Sequence, residues 1–80
     1  MTINPDQQID IRGEVCPYTF VKSKLKIETM NPGEVLRIIT NHEPATKNVP
    51  RSMESEGHYI VAWPNKINDT DWEFFVKKKS

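Results

Sequence analysis

The sequence predicts an α/β (α+β) two-layer sandwich: a four-stranded mixed sheet with two helices on one face, in the order βαβαββ. Three observations predict it. Four short segments show strand alternation or β-branched enrichment, two show helical spacing, and they follow one another as strand, helix, strand, helix, strand, strand. Eighty residues leave room for one hydrophobic core and not for two. Two successive strand–helix–strand units with parallel strands obey the right-handed crossover rule, which returns both helices to one face of the sheet.

Residues 1–7 are polar, include Pro5, and read as a loose lead. Ile9 and Ile11 then alternate with Asp10 and Arg12, the period of a half-buried strand, and Gly13 breaks it. The first helix is expected from Pro17 to about Thr29. Phe20, Ser23, Ile27 and Met30 share one stripe; Val21 and Leu25 widen it sideways, and Tyr18 lies further off. Lys22 and Lys26 face solvent, while Lys24 can lay its stem along the edge of the core. Asn31-Pro32-Gly33 stops the helix. Glu34 to Thr40 is a strand with Leu36, Ile38 and Thr40 on one face and Val35, Arg37 and Ile39 on the wetter one.

Asn41 to Asn48 is a polar connection with room for a helical turn near Pro44. Asn48 caps a second helix that opens at Val49-Pro50, buries Val49 and Met53, turns Ser52, Glu54 and Ser55 outward, and stops at Gly57. Tyr59 to Trp63 is a third strand ended by Pro64. Asn65 to Thr70 turns the chain. A last strand alternates Trp72, Phe74 and Val76 with Glu73, Phe75 and Lys77, giving one clearly apolar face. Lys77 to Lys79 reads as a frayed, solvated terminus.

Chemistry concentrates at one point. Cys16 is the only cysteine, and Pro17 follows it. Proline suits the first helical position, which puts Cys16 at the N-cap. Unpaired amides and the positive dipole end favour an anion there, so the thiol should ionise more readily and attack better. Arg12 could add positive charge. The bland alternative is a small buried cysteine that only packs.

The stretch Asp-x-Arg-Gly-x-x-Cys-Pro, Asp10 to Pro17, resembles the signature of the TusA-like (SirA-like) sulfur-carrier proteins. Further downstream, Pro32-Gly33-Glu34 precedes Val35-Leu36-Arg37-Ile38, while Asn48-Val49-Pro50 and Glu56-Gly57-His58 fall where that family starts and stops its second helix. The resemblance covers roughly residues 8 to 78 of a single domain, 1–80, and implies the fold already read from the pattern. It also implies a sulfurtransferase-type carrier that works with partner enzymes. Cys16 would take a sulfane sulfur from a cysteine desulfurase or rhodanese, hold it as a persulfide, and pass it to an acceptor protein. The end use would be tRNA thiolation or sulfur metabolism. No cofactor beyond that covalent persulfide is implied. Arg12, Gly13, Pro17 and Thr19 would support the site, and Lys22, Lys24 and Lys26 would form a docking rim for acidic partners. Two positions depart from the family pattern. Thr19 stands where a second proline is common, which restores an N–H and some freedom at the helix start. Asn48 stands where an acid is common, and caps as well.

Composition narrows the alternatives. Eleven basic and eleven acidic residues cancel, so bulk charge makes no case for a nucleic-acid partner. A lone cysteine excludes an internal disulfide framework, a multi-cysteine metal site and a Cys-x-x-Cys redox pair. No apolar run is long enough for a transmembrane helix or a secretory signal, so a soluble, cytoplasmic setting away from membranes is expected. His42 and His58 lack metal-ligand spacing and read as structural or exposed. Trp63 and Trp72 read as core or edge aromatics. Two other functions fit the same residues: a non-catalytic RNA- or protein-binding regulatory module, and a redox sensor forming a sulfenic acid at Cys16.

Overall fold

The alternation around Ile9 becomes the first strand, β1, Gln7–Asp10, in a computed structural model that describes residues 4–15 and 17–79. It is followed by α1 (Tyr18–Glu28), β2 (Val35–Thr40), α2 (Ala45–Ser55), β3 (Tyr59–Lys66) and β4 (Trp72–Lys77). The four strands form one sheet in the order β1-β2-β4-β3. β1 runs parallel to β2, with Ile9 opposite Ile38, and β4 is antiparallel to both β2 and β3. β3 is therefore parallel to β2 and lies beyond β4. Both strand–helix–strand units thus join parallel strands, as the predicted architecture requires.

The core sits between sheet and helices. Leu36 and Ile38 from β2 and Phe74 and Val76 from β4 meet Ile27 from α1 and Val49 and Met53 from α2, all fully buried. Period-2 alternation makes this possible, since Leu36, Ile38 and Thr40 are buried and the residues between them are not. The molecule measures 33 × 30 × 17 Å, and its short axis matches one sheet plus one helical layer.

Several expectations need correction. The lead is shorter than predicted: Asp6 donates its N–H to the Val35 carbonyl at 2.9 Å, and its carboxylate accepts from the Val35 N–H at 2.8 Å. The helix starts at Tyr18 with Pro17 in the cap position, and Cys16 lies outside the described residues. Val21 and Leu25 are exposed rather than part of the apolar flank, and fully buried Thr19 joins Ser23, Ile27 and Met30 inside.

The second helix begins at Ala45, with Pro44 rather than Asn48 in the cap position. Both Pro44 and Pro50 fit a helix start locally. Tertiary burial decides between them, because Ala45 is fully enclosed and the Pro50 ring packs inward from mid-helix. Pro64 does not end β3, which continues to Lys66 through two register irregularities. β3 is an edge strand, where a missing N–H on the open side is tolerated. β4 has the apolar face expected of it in fully buried Phe74 and Val76, and an apolar residue on its other side as well. Phe75 is 9% exposed on the opposite face, set between Arg37 across β2 and Ala62 across β3.

The final lysines are tied down. The Lys78 ammonium donates to the Ile27 carbonyl at 3.1 Å, and the Lys79 ammonium donates to the Glu56 carbonyl at 2.8 Å. Each cation thus meets the negative end of one helix. Lys78 also exchanges backbone bonds with the Gly33 N–H and the Glu34 carbonyl, at 3.0 and 2.8 Å.

Candidate functional site

The segment between β1 and α1 is held from three sides. Ile11 is fully buried and donates its N–H to Ile39 on β2, at 2.9 Å. Gly13 takes φ +89°, a left-handed conformation that glycine adopts without strain, and its N–H donates to Asn41 Oδ1 at 2.9 Å. The Glu14 N–H returns to the Ile11 carbonyl at 3.1 Å, closing the turn. Beyond position 16, the Tyr18 and Thr19 N–H groups both donate to the Val15 carbonyl, at 2.8 and 3.3 Å. Val15 and the start of α1 are thereby fixed to each other. Val15 is 52% exposed, and Pro17 is exposed as well. The two neighbours of Cys16 in the chain thus stand at the surface on a well-anchored support.

Arg12 holds the base of this loop. Its Nε lies 2.9 Å from Asp10 Oδ1, one terminal nitrogen lies 2.6 Å from Asp10 Oδ2, and the other reaches Asp71 Oδ2 at 3.3 Å. The Arg12 hydrogen bond holds the Asp10 carboxyl below its usual range. Asp71 is also lowered, first by the Asn68 amide and then by Thr70 and Arg12, against the opposing effect of burial. Its two carboxylate partners, Asp10 foremost, keep Arg12 protonated more firmly than usual. The positive charge expected from Arg12 therefore faces two negative charges, and the side chain acts mainly as a clamp between β1 and the start of β4.

The other supporting positions separate by role. Pro17 occupies the cap of α1, and Thr19 is fully buried, its carbonyl accepting the Ser23 hydroxyl at 2.8 Å. The first turn of α1 contains no acidic residue, so the positive end of its dipole is not offset there. Nearby Glu14 is matched by Lys22 at 2.8 Å. Lys24 pairs with Glu56 at 2.7 Å, linking α1 to the end of α2. Lys26, in the last turn, makes no ion pair among the described residues. The three docking lysines therefore do not form one uniform basic patch.

Sequence reasoning missed Asn41 and Asp71, which lie 28 and 59 residues from their partners on the loop. Only the fold brings them there. It also misplaced Val21 and Leu25 of α1, which are 42% and 60% exposed. His58 is buried, and its Nδ1 accepts the Lys79 N–H at 3.1 Å. Trp72 is half-buried with the Lys66 ammonium 5.3 Å from its ring centre, while Trp63 is exposed. Among the described residues no group of histidines and carboxylates could hold a metal, and no helix is long and apolar enough to cross a membrane.

Comparison with known proteins adds a lineage to this geometry. Residues 7–78 match the family described as "Sulfurtransferase TusA". A protein of Archaeoglobus fulgidus named as a candidate sulfur carrier is 49% identical over 77 residues, which cover 96% of this chain and 86% of that protein. The similarly named TsuB of Escherichia coli is 29% identical, with 90% of this chain and 95% of that one covered. Among solved structures, a SirA-like protein from Desulfitobacterium hafniense superposes with a TM-score of 0.78 at 17% identity, covering 92% of this chain and 99% of its own. That likeness speaks for the fold.

Proposed function

The chain belongs to the TusA sulfurtransferase family, and from that premise we propose that it is a sulfur carrier that holds a sulfane sulfur as a persulfide on Cys16 and relays it to an acceptor protein. One observation carries the reading. The only cysteine of the chain falls in the sequence between Val15 and Pro17, both exposed, and the described residues leading to it are held by Gly13, Arg12 and Asn41.

The chemistry needs little else. The Cys16 thiolate attacks the outer sulfur of a donor persulfide. A new S–S bond forms at Cys16, the donor's S–S bond breaks, and the donor leaves as a thiolate. Sulfur moves with no net oxidation, so neither an oxidant nor a cofactor is required. An acceptor thiolate then repeats the step on the Cys16 persulfide. The unopposed dipole end at the first turn of α1 favours the thiolate over the thiol. The donor would be a cysteine desulfurase or rhodanese, and the acceptor would serve tRNA thiolation or sulfur metabolism. The matched charges of Arg12, Lys22 and Lys24 weigh against direct RNA binding, which needs free cations.

Substituting Cys16→Ala should abolish uptake and delivery of sulfur and leave the thermal transition where it is. Labelled cysteine supplied with a desulfurase gives the readout. Label that still reaches an acceptor through the alanine variant would contradict the proposal.

A further inference from the structure

The turn before Cys16 spends its amides one by one. The Ile11 N–H goes to the Ile39 carbonyl, the Arg12 N–H to Asp10 Oδ1 at 3.0 Å, the Gly13 N–H to Asn41 Oδ1 and the Glu14 N–H to the Ile11 carbonyl. Asn41 alone among these acceptors is a side chain from a distant stretch, 28 residues from its partner. Its own support is rigid. Thr40 before it is fully buried and paired with Trp72 on β4, and the Thr40 hydroxyl accepts the His42 N–H at 3.1 Å. The Asn41 carboxamide is thus carried out from the end of β2 and grips Gly13, whose backbone is left-handed. It grips without charge. The carboxylates that touch the turn each meet a cation: Asp10 and Asp71 share Arg12, and Glu14 meets Lys22. A carboxylate at position 41 would accept the same amide and add a negative charge where these two cations are already taken.

We infer that Asn41 is a positioning residue for Cys16: its side-chain oxygen holds the Gly13 amide, sets the course of the turn that leads to residue 16, and, being neutral, leaves a thiolate there unopposed. This rests on the carrier function proposed above. Attack on a donor's outer sulfur needs the thiolate in line with the S–S bond it breaks, and a misplacement of about 1 Å slows such a step steeply. Gly13 stands three residues before Cys16. That length of chain reaches about 11 Å at most, close to one screening length at about 0.1 M salt. A charge at position 41 is therefore felt at the thiol. His42 and Glu43, the titratable groups that follow Asn41, are the same in every variant below.

The test uses two substitutions and two readouts. Asn41→Ala removes the acceptor and adds no charge. Asn41→Asp keeps an acceptor of the same size and adds the charge. Single-turnover transfer from a persulfide-loaded desulfurase or rhodanese, whichever loads the wild type faster, gives a saturating rate and a half-saturating concentration. Alkylation of Cys16 by iodoacetamide at low salt gives the pH at which the thiolate forms, whether or not the protein carries sulfur. Asn41→Ala should lower the saturating rate about fivefold at every pH, with the half-saturating concentration unchanged within about twofold, as the loss of one hydrogen bond that orients the nucleophile implies. Asn41→Asp should displace the alkylation profile to higher pH by about half a unit and regain the wild-type rate above it. A lower Tm in Asn41→Ala with a wild-type saturating rate would mark a purely structural role and overturn the inference. So would an Asn41→Asp alkylation profile that overlays that of the wild type, or an Asn41→Asp protein as slow as Asn41→Ala at every pH. A wild type that gains no sulfur refutes the carrier function, and the alkylation profiles then decide the inference by themselves: separated, they uphold Asn41, and overlaid, they overturn it.

Discussion

Gly13 shows how one residue sets the approach to the site. Its φ of +89° lies where an L side chain is strained, and a Cβ there would meet nothing within 4 Å. The cost of Gly13→Ala is therefore conformational alone, about 1 kcal/mol, and should lower Tm by about 4–8 °C in a domain of this size. An unchanged melt would show that the turn can re-form without a left-handed residue. Arg12 gives a different lesson. In the sequence it is a cation four residues before Cys16. In the fold it is shared between Asp10 and Asp71. Gly13 could be read locally because backbone conformation is a local property. The partners of Arg12 and of the Gly13 N–H could not, because tertiary structure delivers Asp71 and Asn41.

At the scale of elements, the chain's end acts as a staple across both helices. Lys78 and Lys79 reach the carbonyl ends of α1 and α2, and the buried His58 imidazole accepts the Lys79 N–H. Charged groups crowd the imidazole: Lys24 and Glu28 from α1, Glu56 from the end of α2, and Lys78 and Lys79 from the tail, which together line a cavity of about 160 Å³ with it. Burial lowers the His58 pKa first, and Lys78 and Lys79 lower it further against the opposing pull of Glu56 and Glu28. The unfolded chain consequently binds this proton more readily than the folded one. The contribution to stability is full above the ordinary histidine value of about 6.5 and is lost as pH falls through the folded value. Tm should drop between pH 7.5 and pH 5, and the drop should shrink in His58→Asn. An equal drop in both proteins would move the effect elsewhere. Element types were legible because strand alternation and helix spacing survive in the chain, whereas two boundaries were not. Pro44 and Pro50 offered the same local signal for the start of α2, and only the burial of Ala45 separates them. Pro64 reads as a stop unless β3 is known to be an edge.

The whole molecule is one core between two layers, with the outward face of α1 and the opposite sheet face left outside. The open sheet face is organised by Phe75 and by the Arg37–Glu73 pair at 2.7 Å. The helical side ends at the outward stripe of α1. That arrangement suits a carrier. The core fixes α1, and α1 in turn fixes Val15 before it through the Tyr18 and Thr19 N–H groups. The net charge of zero conceals this organisation, because most of the cations near the site are matched within the fold. The most direct test of the central claim is the intact mass of the protein after incubation with a cysteine desulfurase and cysteine, or with a sulfane-sulfur donor. The account predicts the gain of one sulfur atom, removed by reductant and absent in Cys16→Ala. A folded protein with an accessible thiol that gains no sulfur from any donor, or one whose alanine variant gains it equally, would contradict it.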